Sequence, residues 1–68
     1  MKKTPSGKAY HMAFDMYDSQ DEAWNECCKR NKAANHPSNF PIRWEYWVEQ
    51  NPDGKYQIYG KEYNVCDL

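Results

Sequence analysis

The sequence predicts a single α+β domain of β-α-β-β order, with one helix packed on one face of a three-stranded, mainly antiparallel sheet. Two observations support this fold class. Apolar and polar residues alternate with a period of two over residues 9–17, 42–50 and 55–63, which is the pattern of half-buried strands. Between the first two of these segments, residues 19–34 gather their small and apolar side chains on one arc of a helix.

The composition indicates a core built from aromatic rings. Eleven of the 68 residues are Trp, Tyr or Phe, whereas Ile, Leu and Val together number five. So few branched aliphatic residues are typical of disordered chains, but those chains also combine high net charge with few aromatics, and here the formal net charge is −1. We therefore expect a folded domain of low stability, because a chain of this size buries only about 60% of its unfolded surface.

Residues 1–8 predict a flexible basic arm ahead of a domain that spans residues 9–68. The arm is polar, carries lysine, proline and glycine, and shows no periodicity, and chain ends of this kind are usually poorly ordered. The strand that follows alternates between two faces. The face expected to lie under the helix carries Tyr10, Met12, Phe14 and Met16. Tyr17 falls on the other face.

A helix is predicted over residues 19–34. Ser19 suits the N-cap position, and Glu22 three residues later completes a capping box. With about 3.6 residues per turn, the small and apolar side chains share one arc of the helix. That arc contains Ala23, Trp24, Cys27, Cys28 and Ala34. Glu26 and Arg30 are expected on the opposite side, at the spacing that favours an ion pair.

The Asn-Pro-Asp-Gly sequence at 51–54 predicts a tight turn between the last two strands. A three-residue loop places Trp47 opposite Tyr59 on one face of the hairpin. On the other face, Gly60 lies opposite Tyr46 and leaves room for its ring. The first strand is expected beside the last, because this order makes all neighbours antiparallel with short connections.

The sequence shows no catalytic motif, and we expect neither enzymatic activity nor a cofactor or metal. His11 and His36 have no nucleophile and orienting group at a suitable spacing. The adjacent Cys27 and Cys28 do not fit the usual spacing of zinc ligands and are interpreted as small core residues. An odd count of three cysteines and the lack of an apolar leader predict reduced thiols in the cytoplasm. No apolar run approaches the ~20 residues of a membrane span.

The feature that points to function is the sheet face turned away from the helix. A single helix covers one face, so rings on the other face are expected to be exposed among charged side chains. Trp, Tyr and Arg are the residues that most often dominate binding hot spots. The predicted surface comprises Tyr17, Arg43, Glu45, Trp47, Tyr59, Lys61 and Tyr63. Trp47 and Tyr59 are its expected anchors. The alternative is that these cross-strand rings only stabilise a small sheet.

Two segments of the chain resemble a group of very small phage and prophage proteins. The segments are YDSQDEAWNECCKRN and IRWEYWVEQNPDGKYQIY, which combine a strand, a capped helix and a Trp- and Tyr-rich hairpin closed by Asp-Gly. Some of the proteins with this pattern inhibit host machinery, among them certain anti-CRISPR proteins and a small inhibitor of RNA polymerase. The resemblance spans residues 10–61. It rests on the helix cap and the turn, which are structural, and therefore carries over no functional residue.

These features together predict a non-enzymatic protein that binds a host protein or protein complex. The resemblance implies a phage-encoded inhibitor, acting in the bacterial cytoplasm, that blocks a defence or transcription assembly by steric occlusion. Two alternatives stay open. The same rings with the lysines of the arm would suit single-stranded nucleic acid, and the exposed face would also suit a structural or homodimeric protein. Acidic residues on that face favour a protein partner, because they repel phosphates.

Overall fold

The computed structural model describes residues 2–67 and shows the predicted α+β fold, with one α-helix against a three-stranded antiparallel sheet. Met1 and Leu68, the outermost residues of the predicted arm and domain, lie outside the described residues. The strands and the α-helix in chain order are β1 (Lys2–Lys3), β2 (Ala9–Tyr10), β3 (Met12–Tyr17), α1 (Gln20–Ala34), β4 (Ile42–Gln50) and β5 (Tyr56–Asn64). Short 3₁₀ helices at Pro37–Asn39 and Val65–Asp67 precede β4 and follow β5. The main sheet has the order β3-β5-β4, which confirms the expected position of the first long strand beside the last.

The hairpin of β4 and β5 has the predicted register. Trp47 pairs with Tyr59 and Tyr46 pairs with Gly60. A Cβ atom added at Gly60 would lie 2.7 Å from Cε1 of Tyr46 and 2.9 Å from Cε2 of Phe14, so no side chain fits there without displacing a ring. The turn depends on Gly54, whose positive φ of 84° is a conformation that favours glycine. Glycine thus sets both the turn and the packing of two rings against the sheet.

The helix buries Ala23 and Cys27 against the sheet, as the helical arc predicts. Three details differ from the prediction. Ser19 occupies the N-cap position, but its side chain makes no capping hydrogen bond. Trp24 is 58% exposed, although the helical arc predicts that it is packed. Arg30 is not solvent-facing: its guanidinium carbon lies 4.5 Å from the ring centre of Phe14.

Two helix asparagines bind the outer edge of β4. The Asn31 side chain accepts a hydrogen bond from the Tyr46 N–H (3.1 Å) and donates one to the Tyr46 carbonyl (3.4 Å). Asn35, one turn later, makes the same pair of bonds with Trp44 at 3.2 and 3.3 Å. Each amide therefore takes the place that a residue of a further strand would occupy. These four bonds satisfy backbone groups that β4, as an edge strand, would otherwise leave to water.

A register shift in β3 reverses the predicted orientation of its last residues. Ala13 pairs with Tyr59, but Tyr17 pairs with Tyr56, so one extra residue is accommodated between Ala13 and Met16. An extra residue in a strand moves every later side chain to the opposite face. Tyr17 therefore lies on the helix side of the sheet, and its predicted place on the other face is wrong.

The N-terminal segment is not a separate arm. β1 and β2 pair as a two-stranded antiparallel sheet, joined by a turn in which Gly7 has a φ of 91°. Thr4 is only 5% exposed. We call residues 2–10 the N-terminal cover, because they lie across the sheet face opposite the helix. Composition alone suggests an arm, but the ring-rich second face of the sheet offers apolar surface on which this polar segment packs.

The core is correspondingly thin. Ile58, on the central strand β5, is the only large side chain in the described range that is fully buried. It is joined by Ala23 and Cys27 of the helix and by Tyr59 on the opposite face of the sheet. The central strand thus contributes to two small cores, one under α1 and one under the N-terminal cover.

Candidate interaction surface

The two expected anchors of the predicted surface are covered. Tyr59 is 5% exposed and Trp47 is half-buried. Tyr10 packs edge-to-face on Tyr59 with ring centres 4.8 Å apart, whereas the alternation in the sequence places Tyr10 under the helix. The Lys8 ammonium lies 4.1 Å from the centre of a Trp47 ring, within the range of a cation–π interaction. The predicted exposure of Trp47 and Tyr59 is therefore wrong, because the N-terminal cover occupies this face.

Glu49 holds the cover to the sheet. Its carboxylate accepts hydrogen bonds from the Ser6 hydroxyl (2.9 Å), the Ser6 N–H (3.3 Å) and the Trp47 indole N–H (2.8 Å). Partial burial alone would raise the pKa of Glu49, but the hydrogen bonds from Trp47 and Ser6 outweigh it and hold the pKa below its ordinary value. The charged form of Glu49 is thus the form that binds the cover. Glu45 makes a second link, an ion pair of 3.0 Å with Lys8.

The exposed rings lie at the other end of the same face. Phe40, just before β4, is 60% exposed, and Tyr63, near the end of β5, is 37% exposed. Arg43 stands between them: it pairs with Tyr63 across the strands, and its guanidinium carbon lies 5.6 Å from the Phe40 ring centre. We call Phe40, Arg43 and Tyr63 the aromatic end. The cover leaves this part of the predicted surface open.

The seven predicted residues therefore separate into three groups. Arg43 and Tyr63 belong to the aromatic end. The charged pair Glu45 and Lys61 lies beside it, facing across β4 and β5. The remaining three do not lie on the open part of this face: Trp47 and Tyr59 are under the cover, and Tyr17 is on the helix side. Sequence reasoning misses Phe40 because it lies outside every periodic segment, although a large ring in an otherwise polar connection is itself a signal.

The helix side of the sheet carries a shallow groove at the same end of the molecule. It has a volume of about 270 Å³ and lies between the end of α1 and the first half of β4. The Trp44 and Tyr46 rings are parallel within 7°, with centres 5.6 Å apart. The lining residues are Ala34, Asn39, Ile42, Trp44 and Tyr46.

The side chains with metal or nucleophilic chemistry do not converge. Within residues 2–67, no three His, Cys, Asp or Glu side chains are arranged to hold a metal ion. Cys27 is buried, and burial raises the pKa of its thiol. Cys28 and Cys66 are exposed, so of the two adjacent cysteines interpreted as core residues only Cys27 is one. Within the same described range, no helix has the length and apolar character to cross a membrane.

Comparisons with known proteins returned no match to this chain among family models, curated proteins or solved structures. The resemblance to small phage inhibitors therefore stays a prediction. What the fold and its geometry provide is a small α+β domain with one open cluster of rings around an arginine.

Proposed function

We propose that this chain is a small protein-binding protein that acts by covering part of a larger partner, with the aromatic end as its contact surface. The observation that carries the proposal is the exposure of two rings, Phe40 at 60% and Tyr63 at 37%, on either side of Arg43. Exposed rings around an arginine combine a large apolar area with few rotatable bonds, which is typical of the anchors of protein interfaces.

The charges around the aromatic end favour a protein over a nucleic acid. Lys8, the lysine nearest the covered rings, is paired with Glu45 at 3.0 Å and lies over Trp47. Lys61 faces the same Glu45 across the strands. A phosphate chain would therefore meet the carboxylate of Glu45 beside the lysines, and one of these, Lys8, is already paired. A mixed-charge protein surface would meet complementary groups. Steric occlusion of a bacterial host assembly, in the cytoplasm, is the form of activity that fits a domain of this size.

A pull-down tests the proposal. The tagged chain is incubated with bacterial lysate, and the retained proteins are compared with those retained by the double variant Phe40→Ser/Tyr63→Ser. We expect retention of the partner to fall by about tenfold or more, since each anchor ring contributes more than about 1 kcal/mol to binding. Trp24→Ser is the matched control, because it removes another exposed ring, on the helix, and should leave retention unchanged.

Two further measurements decide between the alternatives. Nuclease treatment that releases all the bound material, together with a steep loss of binding as salt rises, would favour single-stranded nucleic acid as the ligand. A stable dimer on size-exclusion chromatography that the double variant dissociates would favour self-association through the aromatic end. Equal retention by the parent chain and the double variant would contradict the proposed surface.

A further inference from the structure

The groove on the helix side lies next to the aromatic end. Asn39 and Ile42 line the groove, and Phe40 and Arg43, which alternate with them along the chain, form the aromatic end. A partner that contacts one is therefore within reach of the other. The groove walls combine polar and apolar groups, with the parallel rings of Trp44 and Tyr46 on the sheet side and Ala34 on the helix side.

Three features in or beside the groove carry negative or partial negative charge. The faces of aromatic rings carry partial negative charge. The helix α1 ends at Ala34, and the C-terminus of a helix carries a partial negative charge of about half an electron. One of its terminal carbonyls, that of Ala34, accepts a hydrogen bond from the Asn39 side chain at 3.0 Å. Glu62 lies directly opposite Trp44 in the sheet, hence on the same face, is exposed, and forms no ion pair with any residue in the range 2–67.

Two basic side chains close to the groove residues in the sequence, Arg43 and Lys32, lie elsewhere. The Arg43 guanidinium lies over Phe40 on the other face of the sheet, and one of its N–H groups donates to the Ile42 carbonyl. Lys32, in the last turn of α1, is on the exposed side of the helix. Ring faces, a helix C-terminus and an unpaired carboxylate together complement a cation that carries an apolar stem.

We propose that the groove binds the side chain of a lysine or arginine of the partner protein, with its alkyl stem along Ile42 and Ala34 and its charged head near Trp44 and Glu62. This inference rests on the proposed function, because it identifies the chemistry of the partner's anchor. An acidic anchor would be repelled by Glu62 and by the helix end. A neutral anchor would gain nothing from either.

The first test uses the chain alone. Backbone and side-chain amide signals are followed by NMR during titration with n-butylammonium, with 1-butanol as the uncharged match and butyrate as the anion. We expect saturable shifts at the Trp44 indole and the Asn39 amide with butylammonium, and at least fivefold weaker effects with the other two. Equal effects from 1-butanol would overturn the cation assignment, and so would the absence of saturable shifts at these groups.

Three variants locate the site. Ala34→Leu fills the groove and should abolish the titration, whereas Ala33→Leu places the same side chain on the exposed neighbour and should leave it intact. Glu62→Gln should weaken butylammonium binding by about two- to fivefold, the range of a partly exposed charge pair. Identical titrations in Ala34→Leu and Ala33→Leu would overturn the groove as the binding site.

The second test separates this inference from the proposed function. In the pull-down, Ala34→Leu should reduce partner retention by about tenfold, and Ala33→Leu should not. Unchanged retention in Ala34→Leu, with retention lost in Phe40→Ser/Tyr63→Ser, would overturn the basic anchor while leaving the aromatic end in place. If butylammonium binds the groove as expected but the parent chain captures no partner, the proposed function would instead be overturned.

Discussion

Replacing Asn31 by alanine tests whether the asparagine side chains of α1 stabilise the edge of β4. The substitution removes two hydrogen bonds to the backbone of Tyr46, at 3.1 and 3.4 Å, both partly buried. Each such bond contributes about 1 kcal/mol net to stability, and alanine returns up to about 0.7 kcal/mol as the better helix former. The expected loss is therefore about 1.5 kcal/mol. For a domain of this size, with a urea m-value of about 1 kcal/mol/M, the unfolding midpoint should fall by about 1.5 M.

Urea unfolding followed by tryptophan fluorescence measures this shift. Asn25→Ala is the matched control, because Asn25 lies on the exposed side of the same helix and its side chain makes no hydrogen bond with any residue in the range 2–67. It should be slightly more stable than the parent chain, by the helix propensity alone. If Asn31→Ala and Asn25→Ala shift the midpoint equally, the asparagine bonds to β4 contribute nothing to stability and the reasoning is refuted.

Three further predictions concern the cover, the sheet and the thiols. The folded-state pKa of Glu49 lies below its ordinary value of 4.5, so its contribution to stability is present above that pH and is lost as the pH falls. Glu49→Gln should abolish this part of the pH dependence of the unfolding free energy, measured by urea unfolding at pH 3–7. Parallel plots of unfolding free energy against pH for the parent chain and the variant would contradict this. Gly60→Ala should destabilise the fold by about 1–3 kcal/mol, since the new methyl group meets the Tyr46 ring, and an unchanged thermal midpoint would contradict this. Cys27 should react with a thiol reagent far more slowly than the other two cysteines, and three equal rates would contradict its burial.

The hairpin could be predicted from the sequence because its signals are local. The turn residues set the register, and Gly60 opposite Tyr46 agrees with the packing that this register requires. The helical and the two-residue periodicity of apolar side chains likewise identify α1 and the three long strands. These signals depend only on residues that are close along the chain, so they can be interpreted without knowledge of the tertiary contacts.

Only part of the candidate site could be predicted. The sequence indicates Arg43 and Tyr63 of the aromatic end, but it does not indicate what covers the rest of that face, because the cover depends on long-range contacts. The hydrogen bonds of Ser6 to Glu49 join residues 43 positions apart, and no local pattern records them. The extra residue in β3, which turns Tyr17 to the helix side, does not interrupt the alternation of apolar residues in the sequence. Arg30 is predicted on the side of the helix opposite the apolar arc, but its guanidinium packs on Phe14. The N-terminal cover and Arg30 thus take places that the sequence assigns to solvent, whereas Tyr17 changes from one face of the sheet to the other.

The asparagine bonds to β4 have a consequence for how this protein can associate. A sheet with two free edges can add neighbours at both and grow without limit, as fibrils do. Here Asn31 and Asn35 occupy the middle of the β4 edge, while the outer edge of β3 pairs with no strand in the described part of the chain. If two molecules paired through their β3 strands, that pairing would occupy the open sheet edge of both molecules. Edge-to-edge growth would therefore end at a pair of chains.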